Sequence, residues 1–113
     1  MAPYAEAELI EVMWGLALDS QSNVREITEL SRGCLNSTIV TPGLVFGWAC
    51  SVYAAGIILV HNHPSGDPTP SPEDRTITAQ LVRASEIIDI PLYDHLIIGS
   101  NGRFNAAAAS GWL

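Results

Sequence analysis

Gly56-Ile57-Ile58-Leu59-Val60-His61-Asn62-His63-Pro64-Ser65-Gly66 is the stretch from which the rest of the chain can be read. The run from Ile57 to His61 is apolar on both faces, as expected of a central strand covered by helices. Residues two apart share a face of an extended segment, so His61 and His63 point the same way where the strand runs out. Beyond them Pro64, Gly66, Pro68 and Pro70 dictate an irregular, stiff loop. Ser71-Pro72-Glu73-Asp74 then opens a helix expected to run to about Ile88, with Ile77, Leu81, Ala84 and Ile88 turned inward.

Two imidazoles and a carboxylate brought back by that loop form a three-ligand set suited to Zn²⁺, with a fourth position left for water. A structural zinc site normally closes that position with protein, so the pattern points to hydrolysis. Each residue also has a plainer reading. Asp74 suits a helix start by itself, as the partner of Ser71 in a capping box and as a charge near the positive end of the helix dipole. Ser71 is either the cap alone or a hydroxyl turned toward the reacting water; the residues leave both open. Asn62 should face away from its two neighbours and tie down loop backbone. A proton acceptor is still needed for hydrolysis. His95, Asp94, Glu73 and the early acids Glu6, Glu8 and Glu11 are the candidates. Glu11 is the best of the early three, because Gly15 and Ala17 on the same strand side leave room beside it. An exposed strand-end charge is the simpler reading of Glu11 from sequence alone.

Upstream, Glu11 to Asp19 alternates. Val12, Trp14, Leu16 and Leu18 fall on one face, and Glu11, Met13, Gly15 and Ala17 on the other, which predicts a strand. Asp19 to Asn23 reads as a turn and Val24 to Arg32 as the returning strand, with Arg25 and Glu29 on its polar side. Thr41 can cap a helix that has Pro42 in its first position and runs to about Ala55, with Gly56 as the stop. Downstream, Pro91 to Gly99 reads as a strand, and Arg103-Phe104 as a short one after the Asn101-Gly102 turn. The order is two strands, helix, strand, helix, strands: an α/β layered fold in a single domain spanning 1–113.

Composition narrows the function. The 113 residues carry twelve acids against five arginines and no lysine, for a formal charge of −7. Nucleic acid is held mainly by cationic contacts to phosphate, and the arginines are scattered, so direct binding to DNA or RNA is not expected. The segment from Ser37 to Val60 is uncharged, but Pro42, Gly43, Gly47, Ser51 and Gly56 interrupt it, so a buried helix and strand fit better than a membrane span. Cys34 and Cys50 form no CxxC pair and are expected to be reduced, partly buried thiols of a cytoplasmic protein. Met1-Ala2-Pro3-Tyr4 lacks the basic start and long apolar run of a secretory signal.

His61-x-His63-Pro64 followed by Ser71-x-x-Asp74 resembles the JAMM (MPN-plus) metalloprotease motif. The run His61 to Gly66, the segment Asp94-His95-Leu96-Ile97-Ile98-Gly99 and the spacing of Glu11 to Asp19 are similar to the RadC branch of that family. The resemblance covers the chain from about Glu8 to its end. It implies Zn²⁺ held by His61, His63 and Asp74, Glu11 as general acid/base, Ser71 steadying the water or oxyanion, and a peptide or protein substrate cut by a peptidase or isopeptidase. His95 falls outside the ligand set and is expected in a supporting or core role with Asp94. The implied fold is cytidine-deaminase-like, a mixed sheet flanked by helices. Members of the branch usually carry an N-terminal helix-hairpin-helix region that is not found here, so the chain is expected to be a fragment or a short relative. Thr41-Pro42-Gly43-Leu44 also lacks an arginine often present after that proline, and Ala106 to Ala109 replaces a more polar and aromatic stretch. The alternative is a DNA repair or recombination binding module whose metal is structural. A metal-dependent nuclease meets the same charge objection.

Overall fold

The computed structural model describes residues 9–33 and 35–113. Glu6, Glu8 and Cys34 lie outside the described residues. The alternating segment forms β1 (Val12–Leu18), and Asp19 closes the turn after it by accepting the Gln21 and Asn23 N–H groups at 2.9 Å each. The chain returns as β2 (Val24–Arg32), followed by α1 (Pro42–Ser51), β3 (Gly56–Asn62), α2 (Pro72–Ile88), β4 (Leu92–Ile98), β5 (Phe104–Ala106) and a short α3 (Ala107–Ser110). The five strands make one sheet in the order β2-β1-β3-β4-β5, with β3 and β4 parallel and the other pairs antiparallel.

β1 and β3 are buried on both faces, as their apolar runs require. Met13, Ala17, Ile57 and Leu59 face Val45, Phe46 and Ala49 of α1 and Ile77 and Leu81 of α2 in the main core. On the opposite face Val12 and Trp14 pack with Val60 and Ile98. The result is an α/β fold with a mixed sheet flanked by helices. No helix among the described residues is long and apolar enough to cross a membrane.

Several local expectations need correction. Helix α1 ends at Ser51, four residues before Ala55, because Tyr53 takes a left-handed conformation (φ +56°). Its N–H returns to the Cys50 carbonyl at 3.1 Å and that of Ala54 to Ala49 at 3.0 Å, the paired closure of a Schellman motif. Gly56 therefore lies inside β3, where a Cβ would collide with the Tyr93 ring. In α2 Ile77 and Leu81 are buried and Ala84 packs against the core as expected, but Asp74, Thr78 and Ser85 are buried with them and Ile88 is exposed. The helix closes there on Asp89, which takes a left-handed conformation (φ +65°). The space beside Gly15 is filled: a Cβ there would strike the Trp48 ring. Cys50 is exposed rather than partly buried.

Candidate metal centre

The site lies at the carboxyl end of β3, where that strand meets the start of β1 and the end of β4. Its geometry follows from register. Met13 of β1 pairs with His61, so Glu11, two residues earlier, comes up on the same face opposite His63. His95 of β4 pairs with Leu59 and so stands on the His61 side of the sheet. The rigid loop after His63 is fastened by Gly66, whose carbonyl accepts the Ser100 N–H at 3.0 Å and the Arg103 guanidinium at 2.6 Å. It delivers the first turn of α2 over the end of the sheet.

At this point the Nε2 atoms of His61 and His63 stand 3.0 Å apart. Asp74 approaches both, with Oδ1 at 3.3 Å from His61 Nε2 and Oδ2 at 3.1 Å from His63 Nε2. Glu11 Oε1 is 3.9 Å from His63 Nε2, and ligand atoms of Glu11, His61 and His63 all lie within 4.8 Å of one another. The cluster thus offers two imidazoles between two carboxylates. Two nitrogens each about 2.0–2.1 Å from one tetrahedral zinc would stand roughly 3.3 Å apart, close to the separation found. The donor set fits a divalent cation.

Electrostatics agree. Burial pushes the Asp74 carboxyl up, but the close approach of the His61 and His63 rings, together with the Ser71 N–H, outweighs burial and holds it far below the usual carboxylate range. The hydrogen bond to Asp74 raises the His63 imidazole above its ordinary value, against the opposing effect of burial. His63 Nδ1 donates to the Asp67 carbonyl at 2.9 Å, which fixes the ring and leaves Nε2 facing the cluster.

Asp74 holds its capping role and its place in the cluster together. Ser71 Oγ accepts the Asp74 N–H at 3.0 Å, and Asp74 Oδ2 accepts the Ser71 N–H at 2.8 Å, a complete capping box. Oδ1 is then left facing His61. Asn62 turns away from the histidines, as its position between them requires. Its carboxamide holds the backbone at the start of β1, not the following loop.

Among the described residues, the other base candidates have partners of their own, while Glu11 Oε2 accepts the Leu35 N–H at 3.4 Å. Asp94 Oδ1 accepts the backbone N–H of His95 at 2.8 Å and of Ala108 at 3.0 Å, and Glu73 accepts the Ser37 N–H at 2.8 Å. His95 is fully buried, and burial holds its imidazole well below the ordinary range, so it is neutral and closed to solvent. Its ring partners are His61, with Nδ1 of His61 and Nε2 of His95 at 2.7 Å, and Thr78, whose Oγ1 is 2.6 Å from His95 Nδ1. Thr78 did not stand out in the sequence. Its one signal there is its place four residues after Asp74, on the same side of a helix.

Comparison with known proteins gives the family. Residues 1–112 match the RadC-like JAB domain, and the chain belongs to that family. It is 48% identical over 94 residues to a UPF0758 protein of Roseiflexus castenholzii, covering 83% of this chain and 40% of that protein. A UPF0758 protein of Chloroflexus aurantiacus is 53% identical over 89 residues, covering 79% and 38% of the two chains. For the UPF0758 protein of Thermotoga maritima the identity is 43% over 102 residues, covering 90% and 45%. The chain therefore spans less than half the length of the curated relatives it matches.

Proposed function

We propose that this chain is a zinc-dependent hydrolase of peptidase or isopeptidase type, with His61, His63 and Asp74 as the metal ligands. The observation that carries the reading is the convergence of two Nε2 atoms 3.0 Å apart on the Asp74 carboxylate, beside a second, more exposed carboxylate on Glu11. Asp74 is the better third ligand because it touches both rings, lies closer to His63 than Glu11 does (3.1 against 3.9 Å), is buried and is held by its capping box. Glu11 reaches solvent and stands farther off, which suits a group that moves protons.

Zinc, when bound, supplies Lewis acidity, lowering the pKa of a water to about 7 and polarising a carbonyl. Glu11 accepts a proton from the attacking water and passes it to the leaving amine, the general acid–base role. Ser71, whose oxygen already receives the Asp74 N–H, turns its own hydrogen toward the developing oxyanion. The mixed sheet flanked by helices and the site at the end of a central strand also suit a cytidine-deaminase-like layering.

The test is metal analysis of the purified chain joined to a screen of peptide and isopeptide bonds, with and without chelator. Chelator-sensitive cleavage that Glu11→Gln abolishes while zinc is retained is the expected result. Stoichiometric zinc with no cleavage of any peptide or isopeptide would instead favour a structural metal in a binding module.

A further inference from the structure

Resting on the metal-centre reading, we propose that Thr78 and His95 are positioning residues that set the tautomer of His61, so that its Nε2 lone pair faces the metal position. The direction of the hydrogen-bond chain is set by its first member. It begins at the backbone carbonyl of Asp74, which can only accept, and Thr78 Oγ1 donates its hydrogen there at 2.8 Å. With its hydrogen placed, Thr78 Oγ1 can only accept at its 2.6 Å contact with His95, so His95 carries its hydrogen on Nδ1. A neutral ring protonated at Nδ1 offers Nε2 as an acceptor. At 2.7 Å from it, His61 Nδ1 must then be the donor. His61 Nε2 is left bare, 3.0 Å from His63 Nε2 and 3.3 Å from Asp74 Oδ1.

Thr78, His61 and His95 are all fully buried, so solvent does not compete for these hydrogens. The opposite direction would put a hydrogen on His61 Nε2, in the place where a cation has to bind. A ligating histidine normally gives its other N–H to a carboxylate, a carbonyl or water; here it goes to a second imidazole, which a threonine orients. The relay starts and ends on one residue. Asp74 anchors it through its carbonyl and meets its far end through its carboxylate, so the first turn of α2 sets ligand and tautomer together.

Two measurements test this on the 113-residue chain. In protein stripped of metal, above the ordinary histidine titration range, long-range nitrogen–proton spectra of labelled histidine distinguish the two tautomers. The hydrogen is expected on Nδ1 of both His61 and His95; finding it on Nε2 of His61 overturns the proposal. Zinc affinity is then compared by indicator competition. Thr78→Val should weaken zinc binding by about 10–100-fold and move hydrogen onto His61 Nε2, and Thr78→Ser should restore both. A folded Thr78→Val that binds zinc like the unaltered chain also overturns it. If Thr78→Val does not fold, the tautomer of the unaltered chain decides. Failure of the unaltered chain to bind zinc would sink the metal-centre reading, and the spectra would still answer for the relay.

Discussion

Asn62 brackets Glu11. Its Oδ1 accepts the Val12 N–H at 2.7 Å and its Nδ2 donates to the Ile10 carbonyl at 2.9 Å, so one buried carboxamide grips the backbone on both sides of the glutamate. The residue between the two histidines thereby places the acid that faces them. Asn62→Ala leaves a buried N–H without its partner, at a cost of about 1–3 kcal/mol. Thermal unfolding should show a midpoint several degrees lower, with zinc affinity nearly unchanged because no ligand has moved. A variant as stable as the unaltered chain would refute the bracket's importance.

Glu11→Gln keeps the shape of the side chain and removes its basicity. Turnover of a screened substrate should fall by roughly 10²–10⁴-fold, with fold and zinc content retained. His61→Ala, by contrast, should lose metal and activity together. Equal loss of zinc in both variants would mean that Glu11 is a ligand.

Zinc should stabilise the folded chain by mass action, by about 2.7 kcal/mol at 100 times its dissociation constant. Chelator should reverse the shift in unfolding midpoint. In Asp74→Asn the amide keeps one oxygen for the cap but loses the charge shared with both histidines. The zinc-dependent shift should then shrink or vanish, and a full shift would remove Asp74 from the ligand set.

Gly99 tests the loop that carries His63. A Cβ there would run into the Gly66 carbonyl oxygen, which the Ser100 N–H and Arg103 hold in place. Gly99→Ala should cost about 1–3 kcal/mol as an overpacking change and weaken zinc binding, because the displaced loop holds the His63 ring through Asp67. Unfolding curves and indicator competition on the same sample would check both effects.

Duplex DNA should not bind this chain appreciably at about 0.15 M salt. The formal charge is −7, Arg32 is paired with Glu29 at 2.6 Å, and Arg103 donates to the Gly66 carbonyl. Titration of labelled duplex checks this. Sub-micromolar, sequence-independent affinity would revive the repair-module reading.

Much of the fold was legible in the sequence because its signals are local. Alternation over Val12 to Leu18 marks β1, the apolar run before His61 marks β3, and Thr41-Pro42 and Ser71-Pro72 mark the starts of α1 and α2. Helix ends were harder. Both α1 and α2 close on left-handed residues that are not glycine, Tyr53 and Asp89, and neither advertises that conformation.

By itself the sequence determined that His61 and His63 share a face at the end of a buried strand, and that an acid opens the next helix, since strand period and loop chemistry act over a few residues. Only the tertiary structure decided what surrounds them. The β1–β3 register brings Glu11 opposite His63, the parallel β3–β4 pairing puts His95 behind His61, and the lie of α2 sets Thr78 against His95. Those neighbours are 17 to 52 residues apart along the chain. No local pattern encodes such pairings, because they follow from how the core packs the strands and helices together.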